Sequence, residues 1–361
     1  MATSNKSIKN KYIVPAVMIA LIGGSPMSLT SASANDQDLL GDNFNISIDG
    51  EVNFGGLIDR EGEINSHFGG SFVSLSVEWR NKVRAVVTAK LDTLFAENDI
   101  EFNDNFSIGE FIKEAYIEIR EVGGTPVAVV VGKQPIPFAQ GVEAMPFYDN
   151  NPLQDLQEIK EVYGVTVNLT EGLFGLFDQA EVSAFETDGG DLSLGRIDGV
   201  SIRLSRLITE NWLLTLSHAS LGNQHLDTGH ENRTSIGLIG QSSDGVLVGW
   251  VEGMYISNNP KYLESNYGIT AGAMMRVHRS TDVIVEYSWI EKELQEIGLG
   301  VRTALTRNFS LGAEVRYQIN QSSRNDIITG IVLTYTFGNT PYSHNYDYLF
   351  GEQDDFSDFY N

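Results

Sequence analysis

Residues 296–320 read EIGLGVRTALTRNFSLGAEVRYQIN, and both halves of the stretch alternate apolar residues with polar or small ones. Ile297, Leu299, Val301, Thr303 and Leu305 lie on one face against Gly298, Gly300 and Arg302. After Thr306-Arg307-Asn308, the residues Phe309, Leu311, Ala313, Val315, Tyr317 and Ile319 lie against Gly312, Glu314, Arg316 and Gln318. A period of two belongs to a strand whose faces meet different surroundings, because successive side chains point to opposite sides of a sheet. Two such runs across a short turn read as a hairpin.

The same texture runs outward from this hairpin through the chain. Val83, Ala85, Val87, Ala89 and Leu91, for example, oppose Lys82, Arg84, Thr88 and Lys90. Strands are predicted near 44–58, 71–79, 83–91, 110–120, 127–132, 162–169, 179–186, 197–206, 212–220, 233–240, 246–255, 267–277, 283–290, 296–305, 309–320 and 327–337, sixteen in all. The connections alternate long and short: a loop at 59–70, a turn at 80–82, a loop at 92–109, a turn at 121–126, a loop at 133–161, and so on to the end. That phase is expected of an outer-membrane barrel, with short periplasmic turns, longer external loops and an even strand number. Trp79, Trp212, Phe309 and Phe337 fall beside the short turns, and Tyr287, Trp289 and Tyr317 toward the opposite rim, as two interfacial girdles require. The fold class read from the sequence is therefore all-β, a transmembrane antiparallel barrel over residues 44–337.

Closure has a physical cause. Backbone groups facing lipid must all be paired, so a sheet in a bilayer has to lose its edges. At sixteen strands the interior is too wide for side chains to fill, and it becomes an aqueous passage.

The two ends fit an exported protein. Lys6, Lys9 and Lys11 precede an apolar stretch from Tyr12 to Gly24 and then Ala32-Ser33-Ala34, which reads as a signal peptide over 1–34. The apolar stretch is too short for a spanning helix, which needs about 20 residues. A short periplasmic segment is expected at 35–43. Losing three lysines takes the net charge from -24 to -27, which excludes nucleic acid as a partner because its phosphates would be repelled. The absence of cysteine excludes disulfides and thiolate chemistry. The strand ending Leu333-Thr334-Tyr335-Thr336-Phe337 resembles the aromatic-terminated signal read by the barrel-assembly machinery, and an acidic, Tyr-rich tail follows at 338–361.

The longest connection, 133–161, carries Pro135, Pro137, Pro146 and Pro152 with Phe138, Met145, Phe147 and Tyr148. A long loop with apolar content is functional more often than not. It is read as a pore-constriction loop bearing Lys133, Phe138, Glu143, Phe147, Tyr148, Asp149 and Asp155; the alternative is a cap on the outer surface. The preceding loop adds Asp92, Glu97, Asp99, Glu101 and Asp104. Carboxylate rings favour cations. The lumen lining is read as Arg84, Lys90, Arg203, Arg276, Arg302 and Arg316 with Glu114, Glu118, Glu286 and Glu314.

The stretch FIKEAYIEIR (Phe111 to Arg120) and VAVVVGKQPIPFAQGVEAMPFYDNNPL (Val127 to Leu153) resembles the siderophore porins of the legiobactin-receptor (LbtU) type. Phosphate-selective porins share the "EAYIE … VGKQ" pair, but they imply a lysine-rich gate that the acidic loops here do not match. The resemblance implies a sixteen-stranded barrel that takes up a ferric siderophore or a related small polar solute, with outer-membrane lipid around it. By analogy of fold a homotrimer is expected.

Enzyme readings are weaker. His225, Asp227, His230 and Glu231 share one predicted loop, yet no further ligand can be placed beside them, so neither metal nor cofactor is expected. His218 adjoins Ser217, but neighbours on a strand point apart, which defeats a Ser-His pair.

Overall fold

The computed structural model describes residues 44–58, 64–67, 69–91, 111–140, 145, 153–169, 176–187, 197–222, 230–259, 267–320 and 325–338. The expected signal peptide, the segment 35–43, the acidic loop at 92–109 and the tail beyond 338 lie outside the described residues. Among the described residues no helix is long and apolar enough to cross a membrane.

The strands are β1 (Phe44–Ile58), β2 (Ile64–His67), β3 (Phe72–Trp79), β4 (Val83–Lys90), β5 (Ile112–Ile119), β6 (Val127–Ile136), β7 (Ile159–Leu169), β8 (Gln179–Phe185), β9 (Gly199–Thr209), β10 (Trp212–Leu221), β11 (Glu231–Gln241), β12 (Leu247–Ser257), β13 (Tyr267–His278), β14 (Thr281–Ile290), β15 (Leu294–Ala304), β16 (Phe309–Asn320) and β17 (Asp326–Phe337), with one short helix, α1 (Gln154–Gln157). From β3 onward each strand pairs antiparallel with the next, and β17 returns to β1 with Phe337 opposite Gly50. β2 pairs with the far end of β1, Ile64 opposite Ile58, and β3 with its near end, Trp79 opposite Phe44. These two pieces make one stave, so the ring is a closed barrel of sixteen.

The wall is apolar outside and polar inside. On β15, Ile297, Leu299 and Val301 are exposed while Glu296, Gly298 and Gly300 are buried. On β16, Leu311, Val315, Tyr317 and Ile319 are exposed while Ser310, Glu314 and Arg316 are buried. A soluble barrel would reverse this; an exposed apolar band around a polar interior suits a bilayer. Aromatic residues mark the turn end. Phe44 stacks on Trp79 at 6.4 Å between ring centroids, Phe309 meets Tyr335 at 4.8 Å, and Tyr335 stacks on Phe337 at 6.0 Å. Trp212 is exposed at the same end, and Tyr255, Tyr267, Tyr287 and Tyr317 are exposed toward the other.

Three readings of the sequence are corrected. The first concerns β6, which continues past residue 132 to Ile136, while β7 begins at Ile159, so the long connection is 137–158 rather than 133–161 and Lys133 is a strand residue. Pro135 has no N–H to give the ladder, and the strand accommodates it with a bulge: the register steps from Gln134 opposite Val162 to Ile136 opposite Ile159. Gly132, with φ +135, makes the passage feasible, since a Cβ there would stand 2.3 Å from Ala115 O. The second concerns the loop at 59–70, where β2 extends the wall and leaves 59–63 as the connection. The third is the strict phase of long and short. It fails at 291–293, three residues at the long-loop end, where Lys292 takes φ +61 and Glu293 N–H bonds Ile290 O at 3.1 Å.

Candidate functional site: the lined interior of the barrel

The inward face follows from the alternation. Arg84 and Lys90 on β4, Glu114 and Glu118 on β5, Arg203 on β9, Arg276 on β13, Glu286 on β14, Arg302 on β15, and Glu314 and Arg316 on β16 all occupy positions alternating with exposed aliphatic residues. Cross-strand register brings opposite charges together. Arg316, almost wholly buried, bonds Glu314 at 2.7 Å and Glu296 at 3.1 Å. Arg120 spans Glu78 and Glu118 at 2.7 and 2.9 Å. Arg203 pairs with Glu181, and Arg276 reaches Asp282 at 3.4 Å. Glu114 accepts a hydrogen bond from Thr88 at 3.2 Å. The lining is thus mixed in sign along much of the wall, and many of its arginines are held laterally against the sheet.

A second feature was not anticipated. One sector of the inner wall is apolar: Ile239 on β11, Val248, Trp250, Met254 and Ile256 on β12, Met274 on β13, and Ile284 and Ile290 on β14 are all buried. The signal was present in β12, LVGWVEGMYIS, where apolar residues occupy both alternating sets. A strand apolar on both faces is covered on both. Outside, Leu247, Val251 and Tyr255 form part of the exposed band.

Inside, the cover comes from the described residues of the segment 137–158, which are 137–140, 145 and 153–158. Phe138, Ala139, Leu153 and Leu156 pack into a cluster with Phe185, Ala219, Leu221, Met254, Ile256 and Ile290. Met145 joins a second cluster with Ile239, Val248, Trp250, Met274 and Ile284. Glycines on the wall provide seats. A Cβ at Gly298 would come 2.8 Å from Met145 Cε, and one at Gly268 would come 2.5 Å from Leu153 Cδ1.

Polar contacts tie the segment down at both limbs. Ser201 Oγ donates to Pro137 O at 2.8 Å, and Arg233 Nη1 donates to Leu156 O at 2.8 Å and Glu158 O at 3.1 Å. Glu252 accepts from Gln140 N–H at 3.0 Å and from Gln157 Nε2 at 2.8 Å.

Of the residues read as constriction, Phe138 lies against the inner wall. Lys133 does not project from a loop: it is buried on β6, and its Nζ donates to Ile112 O at 2.7 Å. Glu143, Phe147, Tyr148 and Asp149 lie outside the described residues, as does the side chain of Asp155.

His218 is exposed on the outer face with Nδ1 2.9 Å from Thr234 Oγ1, while Ser217 is buried on the inner face. Glu231 is held by Arg233 at 2.6 Å and Asn259 at 2.8 Å, and His225 and Asp227 lie outside the described residues. Among the described residues no cluster of acidic and histidine side chains is placed to hold a metal ion.

No family model and no curated protein matches this chain. Solved structures do match its fold. The outer membrane channel DcaP of Acinetobacter baumannii aligns with a TM-score of 0.61 at 12% identity, over 82% of this chain and 98% of its own. The anion-selective porin from Comamonas acidovorans aligns at 0.55 and 12% identity, over 81% and 100%. The trimer form of OmpT, an outer membrane protein of Vibrio cholerae, aligns at 0.55 and 10% identity, over 82% and 100%. The chain therefore has the closed sixteen-stranded fold of Gram-negative outer-membrane barrels.

Proposed function

We propose that the barrel is a passive outer-membrane channel for small polar solutes, narrowed by the segment 137–158. The observation that supports it is the pairing of a polar inner wall with an inward-packed segment that covers the apolar sector of β11–β14. Solute then passes along the polar part of the inner wall, past Ser74 and Glu114. Planar-bilayer recording of the purified protein tests this: discrete conductance steps are expected, and their absence in repeated reconstitutions would leave a non-conducting surface barrel.

The finer reading is uptake of a ferric siderophore, supported by the family-like stretch from Phe111 to Leu153. A deletion strain given ferric siderophore under iron limitation should grow more slowly; unchanged growth would favour a general cation-preferring porin, the reading supported by the carboxylates at 92–109 and 137–158. In the same proposal residues 1–34 direct export, β17 engages the assembly machinery, and the barrel assembles as a homotrimer in the outer-membrane lipid.

A further inference from the structure

The inner face of β12 reads Val248, Trp250, Glu252, Met254 and Ile256, so one carboxylate interrupts an otherwise apolar strip. It is 2% exposed. A carboxylate removed from water in apolar surroundings is strongly unfavourable unless donors replace the solvent. Among the described residues the donors include Gln140 N–H at 3.0 Å, Gln157 Nε2 at 2.8 Å, and Ser235 Oγ from the adjacent strand. The first two come from opposite limbs of the segment 137–158, one to each carboxylate oxygen, so a single side chain closes the base of the loop that carries Met145 and Leu153. The apolar contacts around it are non-directional and permit sliding. Charge-assisted hydrogen bonds have fixed geometry and do not.

We infer that Glu252 is a positioning residue that fixes the inward segment in one place and so gives the channel a single cross-section. This rests on the channel reading above. The distinguishing variant is E252L. Leucine suits the apolar strip and leaves no charge buried, while the acceptor for both limbs is lost and their donors are left unsatisfied. E252Q keeps one oxygen for Gln140 N–H, and the Gln157 amide can turn to meet the new amide.

Heat-modifiable migration on gels first establishes that each variant folds. In bilayers the wild type and E252Q are expected to show one sharp conductance level, and E252L to lose it for a broad, noisy distribution. A sharp wild-type level in folded E252L overturns the inference. The chain has no cysteine, so a Q140C/G237C pair reports on the loop alone. The two positions are close: a Cβ at Gly237 would stand 3.3 Å from Gln140 Cγ, within reach of a disulfide. Oxidising that pair in E252L should restore the sharp level, and reduction should abolish it; equal traces in both states count against the inference. The rate of disulfide formation, read on gels, is expected to fall several-fold in E252L relative to the Glu252 background. Equal rates refute the positioning role even if no form conducts, whereas a silent wild type with unequal rates sinks only the channel reading.

Discussion

Met145 lies directly over Gly298, so that a Cβ added to the glycine would stand 2.8 Å from the methionine methyl group. The atom in the way is the end of a flexible, unbranched side chain, which adapts readily. G298A should therefore keep a stability within about 1 kcal/mol of wild type. G298F should expel Met145 from its cluster and alter the unit conductance, measured in bilayers. An unaltered conductance in folded G298F would show that Met145 does not bound the passage.

Gly132 presents the opposite case. There a Cβ would meet backbone, Ala115 O at 2.3 Å and Tyr116 Cα at 2.7 Å, and φ is +135. Neither obstacle can turn away. G132A should cost at least about 1–3 kcal/mol, read from urea unfolding followed by gel mobility. A wild-type midpoint would mean that β6 pairs with β5 without the positive φ at Gly132.

Arg316 holds two carboxylates in the buried wall, Glu296 and Glu314. R316M leaves both without that partner and should destabilise the barrel by about 3–5 kcal/mol, whereas R316M with E296Q and E314Q should recover much of the loss. The comparison is made by urea unfolding of all three proteins. If R316M alone unfolds like wild type, the triad contributes nothing to stability.

The two faces of the wall predict different tolerance to charge. Ile331 is 60% exposed on the outer face of β17, and I331R should destabilise by about 2–4 kcal/mol if it faces the middle of the bilayer. S74R, on the inner face of β3, should fold normally and lower the cation preference. Equal losses of heat-modifiable protein in both would contradict the assignment of faces.

Replacing Glu143, Asp149 and Asp155 with Asn should reduce cation preference if these residues reach the passage. Reversal potentials under a salt gradient measure it directly. An unchanged reversal potential would assign these carboxylates to the outer surface.

How much of this was legible in the sequence depended on whether the two faces of a strand met different surroundings. In β15 and β16 lipid lies on one side and polar lumen on the other, so Ile297 against Glu296 and Val315 against Glu314 spelled out the faces and the luminal charges. In β12 both sides are apolar, and the pattern that revealed a strand concealed that it had an inner neighbour. The long connection was found by its prolines, but Pro135 was placed within it because a bulge that removes it from the ladder leaves no periodic mark. Glu252 was invisible for a related reason: one acid in an apolar strand reads as an ordinary lumen residue until the two limbs that bond to it are seen to converge.

The three-residue hairpin Glu291–Glu293 joins β14 to β15 with almost no chain beyond the wall. A turn this short is a natural place to display foreign sequence. A short epitope inserted after Lys292 would hang from a turn that already adopts a left-handed conformation. Antibody staining of intact cells through such an insert would report which end of the barrel faces the outside world, and the tagged protein could serve as a scaffold for presenting peptides on a bacterial surface.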